Sequence, residues 1–257
     1  MITHFAEIEL YTLDLSVVRL VYHERLRFPI LAETDHSLTL ALTSHTVLKF
    51  TLRQEPITPV HLAFQVAHAG FAEVVDKIKR AGVLVTHAYV EWHNGPNLYL
   101  RDGEGHELEI MAQANVANDG FPPCHYLGIL HLREVAFPVG NVHCFRRWLR
   151  NTLEMKSCSD AAADDFDVVV GGTAYVVVSA LNRHGYPSGA RSVPANQRVT
   201  FGTPDWAFMH RVRDRLATNG ALVAEQPDEI EFQHAGYHFA LRYTPQFCAE
   251  WPTPLDL

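Results

Sequence analysis

PVHLAFQV (Pro59–Val66) and GHELEIMA (Gly105–Ala112) are the segments on which the reading of this chain turns. Both alternate as strands do. A period of two sends Leu62, Phe64 and Val66 to one face and His61, Ala63 and Gln65 to the other. The second segment divides Leu108 and Ile110 from Glu107, Glu109 and Met111. AEIELYT near the N-terminus repeats the pattern, with Ile8 and Leu10 opposite Glu7, Glu9 and Tyr11. If the apolar faces pack on helices, the other faces together line a cup. Glu7, His61 and Glu109 are then three candidate ligands of a mononuclear metal site.

The whole chain sets the bounds. Its 257 residues suit one large domain or two ordinary ones, and 47% hydrophobic with 19% charged residues suits a globular protein with a core. A net charge of −8 and the lack of any Lys/Arg run argue against nucleic-acid binding. The chain opens directly on strand-like sequence and has no membrane-length apolar run, so a cytoplasmic protein without membrane association is expected. Cys124, Cys144, Cys158 and Cys248 form no CxxC pair and read as free thiols.

One order of elements recurs four times: a strand, a helix, then further strands. In the first unit Asp14 caps a helix carrying Val18, Val21 and Tyr22, followed by SLTLALT and TVLKFTL. The second has a helix with Phe71, Val74, Val75 and Ile78 on one side and Gly82 at its end. Its last strands are joined by the turn Asp102-Gly-Glu-Gly105. Ala114–Pro123 has linker composition, dividing the chain into modules 1–115 and 116–257. A third unit begins with a strand at Leu130–Val139 and a helix carrying Phe145, Leu149 and Leu153; the fourth begins at Arg198–Gly202. Leu181–Gln197 reads as a long loop at a pocket mouth.

These features resemble the vicinal oxygen chelate superfamily, which includes glyoxalase I, bleomycin-resistance proteins and extradiol dioxygenases. The resemblance rests on the first strand with Asp14-Leu15, on HLAFQV, and above all on NLYLRDGEGHELEI (Asn97–Ile110). Gly103 and His106 there replace the family's usual Pro and Asn in a turn between strands. The resemblance implies an α+β fold of four βαβββ units paired into two open, U-shaped barrels, with metal ligands on the first and last strands of each unit. Glu7, His61 and Glu109 fall at such positions, and a fourth falls near Lys49, which would clamp an anionic substrate or fill a ligand's place. In the C-terminal module the matching positions are Glu134, Arg198 and Ala240, so a second intact metal site is not expected; that half is either a structural partner or a pocket in which Arg198 and Glu134 pair.

One imidazole and two carboxylates suit Fe2+, Mn2+, Zn2+, Co2+ or Ni2+ and leave positions open for a substrate. Tyr99 and Asn97 alternate with Leu98 and Leu100 and so face the cup, as does Gln65. Tyr99 is a candidate proton or hydrogen-bond donor, His93 in the WHNGP turn a candidate general base, and Gln65, Asn97 and Lys49 candidate substrate contacts. The bland alternatives are a strand histidine, solvated glutamates, a core tyrosine and an exposed loop histidine. Two functions follow: a metal-dependent enzyme, dioxygenase-like or glyoxalase-like, acting on a small molecule with adjacent oxygens; or a metal-free binding protein of the bleomycin-resistance type. Pairing of protomers into a homodimer through the open sheets fits either.

Overall fold

The computed structural model describes residues 1–92, 95–113, 123–158, 163–181 and 197–247, with only the backbone given for 88–92. His93, Cys248, residues 114–122 of the linker and 182–196 of the expected long loop lie outside the described residues.

All four units are present. The first comprises β1 (His4–Thr12), α1 (Leu15–Val18) continued by a π-helical segment Arg19–Arg25, β2 (Ile30–Thr34), β3 (Ser37–Ala41) and β4 (Val47–Leu52). Asp14 accepts from the Ser16 amide at 2.8 Å, the cap its position called for. The second comprises β5 (His61–Val66), α2 (Phe71–Arg80), β6 (Leu84–Trp92), β7 (Gly95–Arg101) and β8 (Glu107–Met111). The apolar stripe of α2 is buried as its spacing required. The third runs through β9 (Ile129–Val139), α3 (Val142–Leu153), β10 (Lys156–Ser157), β11 (Phe166–Gly171) and β12 (Ala174–Ala180). The fourth holds β13 (Arg198–Thr203), α4 (Trp206–Thr218), β14 (Leu222–Glu225), β15 (Glu229–His234) and β16 (Tyr237–Tyr243).

Two eight-stranded sheets result, β14-β15-β16-β13-β1-β4-β3-β2 and β10-β11-β12-β9-β5-β8-β7-β6. The first units of each module therefore do not share a sheet with the second. Unit one joins unit four through antiparallel β1–β13, and unit two joins unit three through antiparallel β5–β9. Each sheet draws strands from both sides of residue 115, so modules 1–115 and 116–257 are interleaved. Periodicity fixes the face a residue occupies but not which neighbouring strand it meets. Charge is consistent with the outcome: Glu7 and Glu9 on β1 meet Arg198, Arg242 and Lys49 in their own sheet.

One apolar core backs both sheets. Leu62, Phe64, Leu108 and Ile110 are buried on the face opposite His61, and Phe28 of unit one meets Phe64 of unit two edge-on at 6.4 Å. A polar tie locks the same two units. The Tyr22 hydroxyl donates to Asp102 Oδ2 at 2.8 Å, while Asp102 Oδ1 accepts from the amides of Glu104 and His106. His106 Nδ1 in turn accepts from the Val60 amide at 3.0 Å, fastening the starts of β5 and β8 together. Gly105 in this turn has φ +89°, and a Cβ on Gly103 would stand 2.3 Å from Val17, which accounts for glycine at both places. Tyr22→Phe leaves Asp102 Oδ2 without its buried donor and should cost about 1–3 kcal/mol in urea unfolding; an unchanged unfolding midpoint would show the tie to be idle.

Candidate metal centre

Strand registers lay three rows of side chains across the open face of the second sheet. The first row is Arg101, Glu107 and His61; the second is Tyr99, Glu109, Ala63, Glu134 and Tyr175; the third is Asn97, Met111, Gln65 and His131. Neighbours within a row are one strand spacing apart, roughly 4.8 Å. Ala63 has almost no side chain, so the carboxylates flanking it, Glu109 on β8 and Glu134 on β9, face each other across a gap. The β5–β9 register shifts between Ala63 and Phe64, which leaves Arg133 as an extra residue and brings Glu134 opposite Ala63.

His61 completes the group. Its Nε2 lies 3.2 Å from Glu109 Oε2, and its Nδ1 faces Glu107 Oε2 at 3.5 Å. One donor atom each from His61, Glu109 and Glu134 lie within 4.8 Å of one another. His61, Glu107 and Glu109 are 6%, 4% and 4% exposed, so their charges sit out of water. Burial disfavours the charged imidazole of His61, but the carboxylates of Glu107 and Glu109 outweigh it and push the group up to about 10. Burial, then the negative charge of Glu109, raises Glu134 to about 7. Burial and the same Glu109 hold the Tyr99 phenol well above its ordinary range, so it can donate a hydrogen bond but stays protonated.

The expected residues divide between the two sheets. His61, Glu109, Tyr99, Gln65 and Asn97 share one face, as their parity required. Gln65 Oε1 and both amide atoms of Asn97 are buried without hydrogen-bond partners. Glu7 and Lys49 belong to the first sheet and do not reach His61. Glu7 lies 3.3 Å from Arg242 and 3.8 Å from Arg198, and Lys49 lies 3.1 Å from Glu9. Nor does Glu134 pair with Arg198, which bonds Glu229 and Glu231 at 2.6 and 2.9 Å. Glu134 takes the place expected of Glu7. Its position as first strand of the third unit was legible; its pairing with β5 was not. Alternation set Glu107 on the face of Glu109, but its place beside His61 comes from the β5–β8 register, and Arg133 is revealed by the β5–β9 register alone.

The donor set fits a divalent cation. Two facing carboxylates and an imidazole converge, and Glu109 Oε1 is buried with no hydrogen-bond partner. A carboxylate at the second ring nitrogen, as Glu107 provides, orients a ligating histidine. Among the described residues the fourth corner has no donor. Glu109 stands opposite the residue two past His61; the residue two past Glu134 is Ala136, and opposite it stands Val177.

No family model matches the chain, and no curated protein does. Solved structures do match. Glyoxalase I from Zea mays, 15% identical, covers 93% of this chain and 92% of its own with a TM-score of 0.62. A provisional dioxygenase from Bacillus subtilis, 12% identical, covers 94% of this chain and 85% of its own with a TM-score of 0.71. The chain thus has the fold of the vicinal oxygen chelate superfamily.

A folded-state value raised from 6.5 to about 10 means that protonated His61 contributes stability below about pH 6.5, and that this contribution fades as pH rises through 10. NMR of the metal-free protein should find the His61 ring still protonated at pH 8, with Glu107→Gln and Glu109→Gln each lowering its titration. A ring neutral at pH 7 in the wild type would contradict this charge arrangement.

Proposed function

We propose that the protein is a metal-dependent enzyme of the vicinal oxygen chelate superfamily, acting on a small molecule with two adjacent oxygens. The observation that carries this reading is the convergence of His61, Glu109 and Glu134 across Ala63. These three would hold the ion, with Glu107 orienting the His61 ring. A divalent ion bound there supplies Lewis acidity, drawing negative charge onto substrate oxygens. Fe2+, Mn2+, Zn2+, Co2+ and Ni2+ all accept such donors.

Glyoxalase-like proton-transfer chemistry suits the site better than oxygen activation. One imidazole and two carboxylates depart from the two-histidine, one-carboxylate set of iron oxygenases. Tyr99, kept protonated beside Glu109, donates a hydrogen bond to a substrate oxygen. Asn97 and Gln65 offer unpartnered amide atoms for orienting the substrate one row away. His93 remains the candidate base from the sequence and lies outside the described residues. Among the described residues no helix is long and apolar enough to cross a membrane. Thiols at Cys144 and Cys158, free among the described residues, accord with a reducing compartment such as the cytoplasm.

Elemental analysis after reconstitution, with dialysis against Mn2+ and Co2+, tests the reading. The wild type should hold close to one ion per chain. Glu134→Gln should weaken binding by more than about tenfold, since even residues behind the ligands cost that much. Glu7→Gln should leave affinity unchanged. Binding of less than about a tenth of an ion per chain, where a built site should reach unit occupancy, would instead favour a metal-free binding protein of the bleomycin-resistance type.

A further inference from the structure

Arg133 is the residue that the β5–β9 irregularity adds to its strand, and it is 6% exposed. Its guanidinium lies 4.0 Å over the Tyr175 ring. Its Nε is buried without a hydrogen-bond partner and stands 3.9 Å from Glu134 Oε1, beyond hydrogen-bonding distance. A guanidinium carries five donors in a rigid fork and cannot shed its charge, so burying one with a donor unmet is costly unless an acceptor arrives. Stacking on Tyr175 fixes the plane of the fork. Tyr175 is opposite Glu134, and Val177, the donorless fourth corner, is two residues further along the same strand. The arginine therefore belongs to the side of the triad that lacks a protein ligand.

From this geometry we infer that Arg133 anchors the carboxylate of the substrate, and that the substrate class is a small acid with an oxygen adjacent to its carboxylate, such as a 2-hydroxy acid. The inference rests on the metal-centre reading given above. A planar carboxylate matches the guanidinium fork with two parallel hydrogen bonds, as a tetrahedral or neutral group does less well. The acid thereby presents its adjacent oxygens toward the open side of the triad. A purely structural role, holding Glu134 in place, would call for the hydrogen-bonded contact that the 3.9 Å separation does not provide.

The test is calorimetry on the full chain, with and without Co2+, using glycolate and mandelate, their neutral amides, and inorganic phosphate. The Co2+-loaded wild type should bind the acids at least about tenfold tighter than the amides and tighter than phosphate, a margin typical of one charge-assisted contact. Arg133→Met and Arg133→Gln should erase the preference while changing Co2+ affinity by less than about threefold, and Arg133→Lys should restore part of it. Failure of the wild type to bind Co2+ would count against the metal centre alone; acids still preferred over amides by metal-free wild type but not by Arg133→Met would then keep the anchor. Acids bound no better than amides, phosphate preferred, a preference surviving in Arg133→Met, or loss of Co2+ binding in both neutral variants would each overturn the assignment.

Discussion

The register that sets Glu134 opposite Ala63 is the constraint from which the rest of the site follows. Antiparallel pairing of β5 with β9 is the seam that makes one sheet from units two and three, and it brings a residue from beyond position 115 to His61. Shifting that pairing by one residue would turn Glu134 toward the apolar core and bring Val135 to the cup. The local irregularity at Arg133 resets the alternation, so that Leu132 stays in the core while Glu134 faces the open side. Ala63 matters by what it lacks. Any longer side chain there would fill the gap that the two carboxylates flank.

The two sheets share one topology and differ in electrostatics. On the open face of the first, Glu7, Glu9 and Glu229 are met by Arg198, Arg242 and Lys49 at hydrogen-bonding or ion-pair distance. Each acid there has a basic neighbour, so that face needs no ion. On the second, Glu107, Glu109 and Glu134 gather around His61, and the Arg133 guanidinium stands off from Glu134. Such crowding is unfavourable without a cation, and the raised Glu134 and His61 values express that: protons occupy the place of missing positive charge. Local conflict of this kind is what functional sites retain at the expense of stability.

Much of this was written in the sequence. The alternation of HLAFQV and ELEIM put His61, Gln65, Glu107 and Glu109 on one face, and the spacing of Phe71, Val74, Val75 and Ile78 set the helix that covers the other. The four-unit order and the turn at Asp102–Gly105 were equally legible. Partnership between units was not, because two first strands with the same alternation are interchangeable until the whole sheet is assembled. That ambiguity put Glu7 and Lys49 into the expected site and kept Glu134 out of it. Arg198, a cation at the same place in the fourth unit as Glu7 in the first, was the available hint that these two strands belong side by side. The strand irregularity that adds Arg133 has no local signature, since it arises from fitting β9 against β5.

Anomalous diffraction at the absorption edge of Mn2+ or Co2+, from crystals of the reconstituted protein, tests the central claim most directly. A single strong peak bounded by His61 Nε2, Glu109 and Glu134, with Glu107 on the far side of the imidazole, is the expected result. No peak at that position, or a peak among Glu7, Glu229 and Glu231 on the first sheet, would contradict it.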